Sequence, residues 1–82
     1  MPYIKQKDRK DLAEGRGPNT PGELNYSFTM LAKHYLTVNG VSYRSYNDII
    51  GALEGAKLEL YRRQVAEYED GAIKENGDLW DK

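Results

Sequence analysis

One stretch, from Tyr46 to Tyr68, has a helical period and restricts the possible folds of this chain more than any other feature. Successive side chains of a helix are about 100° apart, so apolar residues three and four positions apart share a face. The stretch follows this pattern and is longer than an ordinary strand. We therefore predict a helix over about 46–69, with Ser45 as its N-cap. Its predicted inward face consists of Tyr46, Ile49, Ile50, Leu53, Ala56, Leu60, Tyr61 and Tyr68.

A second helix is predicted over about 21–38. Thr20 can cap it, a proline follows at the first helical position, and Glu23 completes a capping box. Gly40 suits the helix end, because glycine accepts a positive φ. The short connection makes the two helices antiparallel neighbours, so we expect an all-α fold built on an antiparallel helical hairpin. The inward face of this helix is predicted to be Leu24, Phe28, Leu31, Tyr35 and Val38.

The remaining segments flank this hairpin within a single helical domain, residues 1–82, because a chain of 82 residues is too short for two cores. Residues 1–19 are predicted as a polar arm or short helix, and residues 20–69 as the hairpin. Residues 70–82 are predicted as an irregular tail, since Asp70 and the glycine after it favour a turn. We expect the large apolar side chains of the tail to fold back over the hairpin or to dock on a neighbouring subunit; they are Ile73, Leu79 and Trp80.

Composition excludes several classes of function. The chain has 12 basic and 13 acidic residues, with a net charge of −1, so nothing attracts it to nucleic acid. It has no cysteine and one histidine, His34, without metal-ligand spacing or a nucleophile setting. We therefore expect no enzyme, no catalytic residue, no metal and no cofactor. No apolar run or leader suggests a membrane or secretion, which predicts a cytoplasmic protein.

Glycines in the long helix suggest a contact between copies. Gly51 and Gly55 lie four residues apart, and each costs about 1 kcal/mol relative to alanine inside a helix. Close approach of a second backbone explains them; exposed glycines tolerated by the helix are the alternative. Small domains without disulfides or metals often rely on oligomerisation. The predicted oligomer interface therefore joins these glycines to other apolar side chains outside the inward stripes: Tyr26, Met30, Gly51, Gly55, Leu58 and Val65.

Tyrosines beside an arginine mark a candidate ligand site. Tyr43 and Arg44 follow each other in the connection between the helices. An arginine fork suits a phosphate and a tyrosine face suits a base, so a pocket between subunits could hold a nucleotide. The alternative is that the tyrosines close the hairpin and the cations form solvated ion pairs. The candidate ligand residues are Tyr43, Arg44, Tyr46, Lys57, Arg62 and Arg63.

Four blocks, MPYIKQ, TPGELNY, ALEGAKLELYRR and YEDGAIKENGD, span nearly the whole chain. Through them the sequence resembles a family of small uncharacterised proteins encoded by bacteriophages and bacterial genomes. The resemblance implies a phage-type accessory protein that acts by binding in the cytoplasm of a bacterial host. Together with the missing catalytic residues and the predicted oligomer interface, it leads us to expect a non-catalytic, small homo-oligomeric helical module. The alternative that it implies is an anti-defence sponge that sequesters a nucleotide second messenger. The expected partners are the chain itself and either a host protein or a small nucleotide.

Overall fold

Helices form nearly all of the ordered structure. The computed structural model describes residues 1–80, and within that range it contains helices and no strand, which confirms the all-α class. The last two residues of the predicted tail lie outside the described residues. The helices are α1 (Gln6–Ala13), α2 (Pro21–Asn39), α3 (Tyr43–Leu60), a π-helical turn at Tyr61–Val65 (the π-turn) and α4 (Ala66–Asn76).

The chain divides into two compact units. Unit 1 is Met1–Ile49 and contains α1, α2 and the start of α3; unit 2 is Ile50–Lys82 and contains the rest of α3, the π-turn and α4. The boundary therefore lies inside α3. The single domain over 1–82 stays a prediction.

The ends of α2 follow the local signals in the sequence. Thr20 Oγ1 accepts a hydrogen bond from the Glu23 amide at 3.1 Å, and the proline occupies the first turn. The Glu23 carboxylate accepts from the Asn19 amide at 2.9 Å, one residue before the amide that a capping box uses. α2 ends at Asn39, and Gly40 has a φ of 89°. The predicted start and end of this helix are thus confirmed to within one residue.

The long helix begins earlier and ends later than predicted. Ser42, not Ser45, receives the capping hydrogen bond: its Oγ accepts from the Ser45 amide at 3.1 Å. At the other end the helix passes through Gly71 and stops at Asn76, where Gly77 has a φ of 93°. A glycine ends a helix when it takes a positive φ, and Gly71 does not. The irregular tail therefore begins at 77 and not at 70.

Arg16 joins α1 to α2. From the loop between them, its Nη1 lies 2.9 Å from Glu23 Oε1 on α2. Its Nη2 lies 3.7 Å from Asp8 Oδ1 and its Nε lies 4.0 Å from Asp11 Oδ2, both on α1. One planar guanidinium thus contacts carboxylates of both helices, which suits its fork of donors.

This network changes the acidity of its members. The hydrogen bond from Arg16, together with the one from the Asn19 amide, holds the pKa of Glu23 below its usual value against the opposing effect of burial. The same hydrogen bond to Glu23 raises the pKa of Arg16. Glu23 is therefore ionised across the neutral range and remains a permanent acceptor for α1, α2 and the loop.

The first four residues pack across the start of α2. A Cβ added at Gly22 would lie 3.1 Å from the Met1 carbonyl oxygen and 3.4 Å from Ile4 Cγ2. Arg9 Nε donates to the Ile4 carbonyl at 2.8 Å, and its guanidinium lies 5.9 Å from the centre of the Tyr26 ring. The predicted polar arm is thus a short helix with an ordered N-terminal segment, and it covers the first turns of α2.

The predicted apolar core does not form within residues 1–80. The buried residues described there are Glu23 and Ser45, and no hydrophobic side chain is among them. Most side chains of both predicted inward faces are exposed, including Leu31 and Ile50. Trp80 and the leucine before it are also exposed, so the tail does not fold back. Within unit 1, the apolar face of α2 is exposed because α2 contacts α1 through polar groups of its first turns and not through this face.

Protonation of Glu23 should destabilise unit 1. Its pKa is lower in the folded chain than in the unfolded chain, so the unfolded chain binds more protons as the pH falls through these values. The stabilisation is present at neutral pH and is lost at acid pH. Thermal unfolding followed by circular dichroism should therefore show a lower Tm for Glu23→Gln at about pH 7, with the difference from wild type shrinking towards about pH 3.

Glu59→Gln provides the matched control. Glu59 also pairs with an arginine, Arg62, at 3.2 Å, but its side chain is 60% exposed against 11% for Glu23. Solvent screening makes such exposed pairs weak. Equal loss of Tm in the two variants would contradict the role given to Glu23.

Candidate functional site

A polar cleft lies where α2 meets the start of α3, inside unit 1. It encloses about 420 Å³ and is lined by Tyr35, Asn39, Ser42, Arg44, Ser45 and Asp48. The Tyr35 hydroxyl donates to Asp48 Oδ2 at 2.8 Å and thereby joins the last turns of α2 to the first turns of α3. Asn39 Nδ2 donates to the Tyr35 carbonyl at 3.1 Å. The cleft therefore presents hydroxyl, amide, carboxylate and guanidinium groups on one surface.

The Tyr35 hydroxyl acts as a hydrogen-bond donor in this cleft and not as a base. The hydrogen bond to Asp48 is the main cause that raises the pKa of Tyr35, and partial burial adds to it. The positive charge of Arg44 opposes the shift. The phenol is therefore protonated at neutral pH, with its proton directed at the carboxylate. Within residues 1–80 no group of three or more potential metal ligands occurs. Arg44 is the one cationic side chain among the residues that line the cleft.

The predicted ligand residues fall into two groups. Tyr43, Arg44 and Tyr46 lie at the start of α3 in unit 1, and Arg44 lines the polar cleft. The other three residues lie in unit 2. There Lys57 Nζ is 3.4 Å from Glu54 Oε2, and Arg62 pairs with a glutamate one turn away. Two of these cations thus have carboxylate partners on their own helix, as the alternative interpretation of the sequence expected.

Sequence reasoning missed most of the cleft. It assigned Tyr35 to the inward face of the helix predicted over about 21–38 and did not relate it to Asp48. The available signal was the short connection between the helices, which brings the end of one and the start of the next together. A serine pair, Ser42 and Ser45, fixes that start, because the first caps the helix and the second is only 4% exposed.

The predicted oligomer residues of unit 1 lie partly under α1. Tyr26 is half-buried beneath the Arg9 guanidinium, whose position over the ring allows a cation–π interaction. Met30, one turn further along α2, is exposed. Tyr26 thus has a partner within its own unit.

The π-turn separates Leu58 from Val65. In an uninterrupted α-helix seven residues bring these two side chains to nearly the same face. A π-helical turn contains one extra residue, which rotates all that follows by about 100°. Val65 is accordingly half-buried, whereas Leu58 is exposed. Leu58 and Val65, both assigned to the predicted oligomer interface, therefore lie on different faces of the helix, although the interface residues themselves remain predictions.

The two glycines of α3 have open space around them. A Cβ built on Gly51 or Gly55 meets no atom within 4 Å. Replacement by alanine should therefore stabilise the single chain by about 0.5–1 kcal/mol per site, because alanine loses less backbone entropy on entering a helix.

The double variant Gly51→Ala/Gly55→Ala tests whether these glycines contact another copy. Urea unfolding should show a stability gain, with unchanged mass in solution. Loss of stability together with a lower solution mass would show that a second backbone approaches this face. Gly22→Ala is the contrasting variant, since its Cβ meets the Met1 carbonyl and should lower stability.

Comparisons with known proteins give a family and no described activity. No helix within the described residues is long and apolar enough to cross a membrane. No match was found among the curated proteins or among the solved structures. A family model described as Domain of unknown function (DUF6899) matches residues 1–79, nearly the whole chain. The chain therefore belongs to the DUF6899 family.

Proposed function

We propose that this chain is a non-catalytic binding protein that works as a homo-oligomer. The observation that supports it is the absence of a buried hydrophobic side chain in the structure described for residues 1–80. Ordering each residue costs about 1–2 kcal/mol of conformational entropy, and apolar burial is the main compensation. A chain that leaves its apolar stripes exposed gains this compensation from a partner.

Unit 2 makes the need for a partner clearest. Within its described residues, 50–80, α3, the π-turn and α4 follow one another along the chain, and these residues supply no second helix that could form a layered core with them. Isolated helices are marginal in water, and most helical stability in proteins comes from packing of the apolar face. The exposed side chains along unit 2 include Ile50, Leu60 and Tyr68.

A second copy of the same chain is the partner that we propose for this role. It is present at the concentration of the protein itself, and a net charge of −1 gives little repulsion between copies. The remaining surface is then available to a host protein. On the resemblance described above, the setting is a phage-type accessory role in the bacterial cytoplasm.

Molecular mass in solution tests this proposal. Native mass spectrometry of the gently purified protein should give a multiple of the 9.4 kDa chain mass. Helix content should fall on dilution below the dissociation constant, because folding and assembly are coupled. A monomer that keeps its full helix content at nanomolar concentration would overturn the proposal.

A nucleotide sponge is the second candidate function, favoured by the polar cleft. Arg44 lines this cleft and forms no ion pair with the described residues, while the neighbouring Tyr43 ring is 80% exposed. A free guanidinium beside an accessible aromatic face suits a phosphate and a base. In an oligomer, a second subunit could close the open side of this cleft.

Charge reversal at Arg44 separates the two candidates. The native mass spectrum of wild type would show extra mass of nucleotide size on the oligomer, and Arg44→Glu would remove that mass without changing the subunit number. Lys33→Glu is the matched control, since Lys33 is an exposed cation on α2 that does not line the cleft. A wild-type spectrum without added mass after expression in bacteria carrying nucleotide-signalled defence would contradict the sponge.

A further inference from the structure

Unit 2 carries a line of apolar side chains in which the one charged residue is a lysine. We call it the seam and define it as Ile50, Leu53, Lys57, Leu60, Val65, Tyr68 and Ala72. All seven lie in α3, the π-turn or α4.

The spacing of the seam is that of a coiled coil. From Ile50 to Leu60 the steps are three, four and three residues, and from Val65 to Ala72 they are three and four. Alternating steps of three and four define the a and d positions at which two helices interlock. The one exception is the step of five between Leu60 and Val65.

The π-turn corrects this exception. A step of five in a regular helix would move Val65 and Tyr68 off the seam by about 100°. The extra residue of the π-helical turn, at Tyr61–Val65, falls within this step and absorbs the rotation. Both halves of the seam therefore share one face, and this alignment gives the irregular turn a structural purpose.

We propose that the seam pairs with the seam of a second copy in antiparallel orientation. This rests on the proposed homo-oligomer and adds its surface and its direction. Residues 57–63 contain three cations and one carboxylate, a net charge of +2, and residues 67–70 contain three carboxylates, a net charge of −3. Antiparallel pairing about an axis midway between Leu60 and Val65 sets the acidic residues 67–70 opposite residues 55–58 of the partner subunit, which include Lys57. Parallel pairing in register would instead set the acidic segment opposite the acidic segment and the basic segment opposite the basic one.

The layers of such a pair follow from the position of its two-fold axis. An axis midway between Leu60 and Val65 sets Leu60 against Val65 of the partner subunit. The same axis sets Leu53 against Ala72 of the partner subunit, a large side chain against a small one. Such layers of large and small residues fill a narrow interface without voids.

Lys57 defines the register of this pair. The same axis sets it against Tyr68 of the partner subunit, where its ammonium can lie on the ring and its stem can cover apolar surface. A single lysine at an a position lowers stability but selects one alignment. Lys57 thus acts as a positioning residue for the partner.

Two leucines give a matched test. Leu58 and Leu60 are equally exposed, each 58%, and only Leu60 lies on the seam. Leu60→Asp should shift the dissociation constant of the oligomer upwards by at least tenfold in analytical ultracentrifugation. Leu58→Asp should leave it within about twofold of wild type, because surface changes away from the interface have little effect.

A second variant covers the case in which Leu60→Asp does not fold. Lys57→Leu completes the apolar seam, so it should raise the concentration-dependent Tm of the oligomer. Because a polar a residue specifies alignment, this variant should also form a mixture of oligomeric states in native mass spectrometry. An unchanged Tm with one unchanged state would contradict the role of Lys57.

Disulfide trapping tests the direction, since the chain has no cysteine of its own. Chains carrying Leu60→Cys and differently tagged chains carrying Val65→Cys are mixed and oxidised. Antiparallel pairing should give disulfides between the two kinds of chain and few between two Leu60→Cys chains, because Cα atoms more than about 7 Å apart cannot be bridged. Mainly like-with-like disulfides would overturn the antiparallel direction.

The outcomes separate this inference from the proposed function. A wild-type monomer contradicts the homo-oligomer itself. A wild-type oligomer that survives Leu60→Asp, or that Leu58→Asp disrupts equally, overturns the seam and leaves the homo-oligomer standing.

Discussion

The contact between Arg16 and Glu23 is the interaction on which the order of unit 1 depends. At 2.9 Å it fixes the loop to the start of α2, and two longer contacts carry the same guanidinium to α1. α1 supplies Leu12 as its main apolar anchor, so its attachment is largely electrostatic. The N-terminal segment then lies across Gly22, where there is no side chain to obstruct it. In unit 1 an ion pair thus connects the helices, whereas an apolar core does so in most small domains.

Because α1 and α2 meet through polar contacts, the apolar face of α2 is not used in this junction. A polar junction between α1 and α2 uses the first turns of α2, and the apolar face of that helix stays exposed, as does the face of the helix in unit 2. Exposed apolar surface along both helices supports the proposed partner. The π-turn supports the same conclusion, because it brings two runs of coiled-coil spacing onto one face. In a helix that met only solvent, this alignment would have no effect on stability.

Membership in the DUF6899 family assigns no activity to this chain, so the proposed functions rest on the surfaces of the chain itself. Two surfaces carry chemistry. The cleft near Arg44 is polar and bears one guanidinium without an ion pair to the described residues, while the seam of unit 2 is apolar apart from Lys57. A sponge would require both, with the seam assembling the subunits and the cleft holding the ligand. A homo-oligomeric binding module without a nucleotide ligand would require only the seam.

Local signals in the sequence determined the helical class, the cap at Thr20 and the end at Gly40, because caps and glycine stops act within a few residues. The period of the long helix was equally local, and it predicted the first part of the apolar line. Tertiary structure alone decided which carboxylates Arg16 would contact and which apolar faces would remain exposed. It also placed the extra residue of the π-turn, which moved Val65 away from Leu58. These features depend on groups that meet in space, or on a rotation that accumulates along a helix, and neither the composition nor the spacing of the residues specifies them.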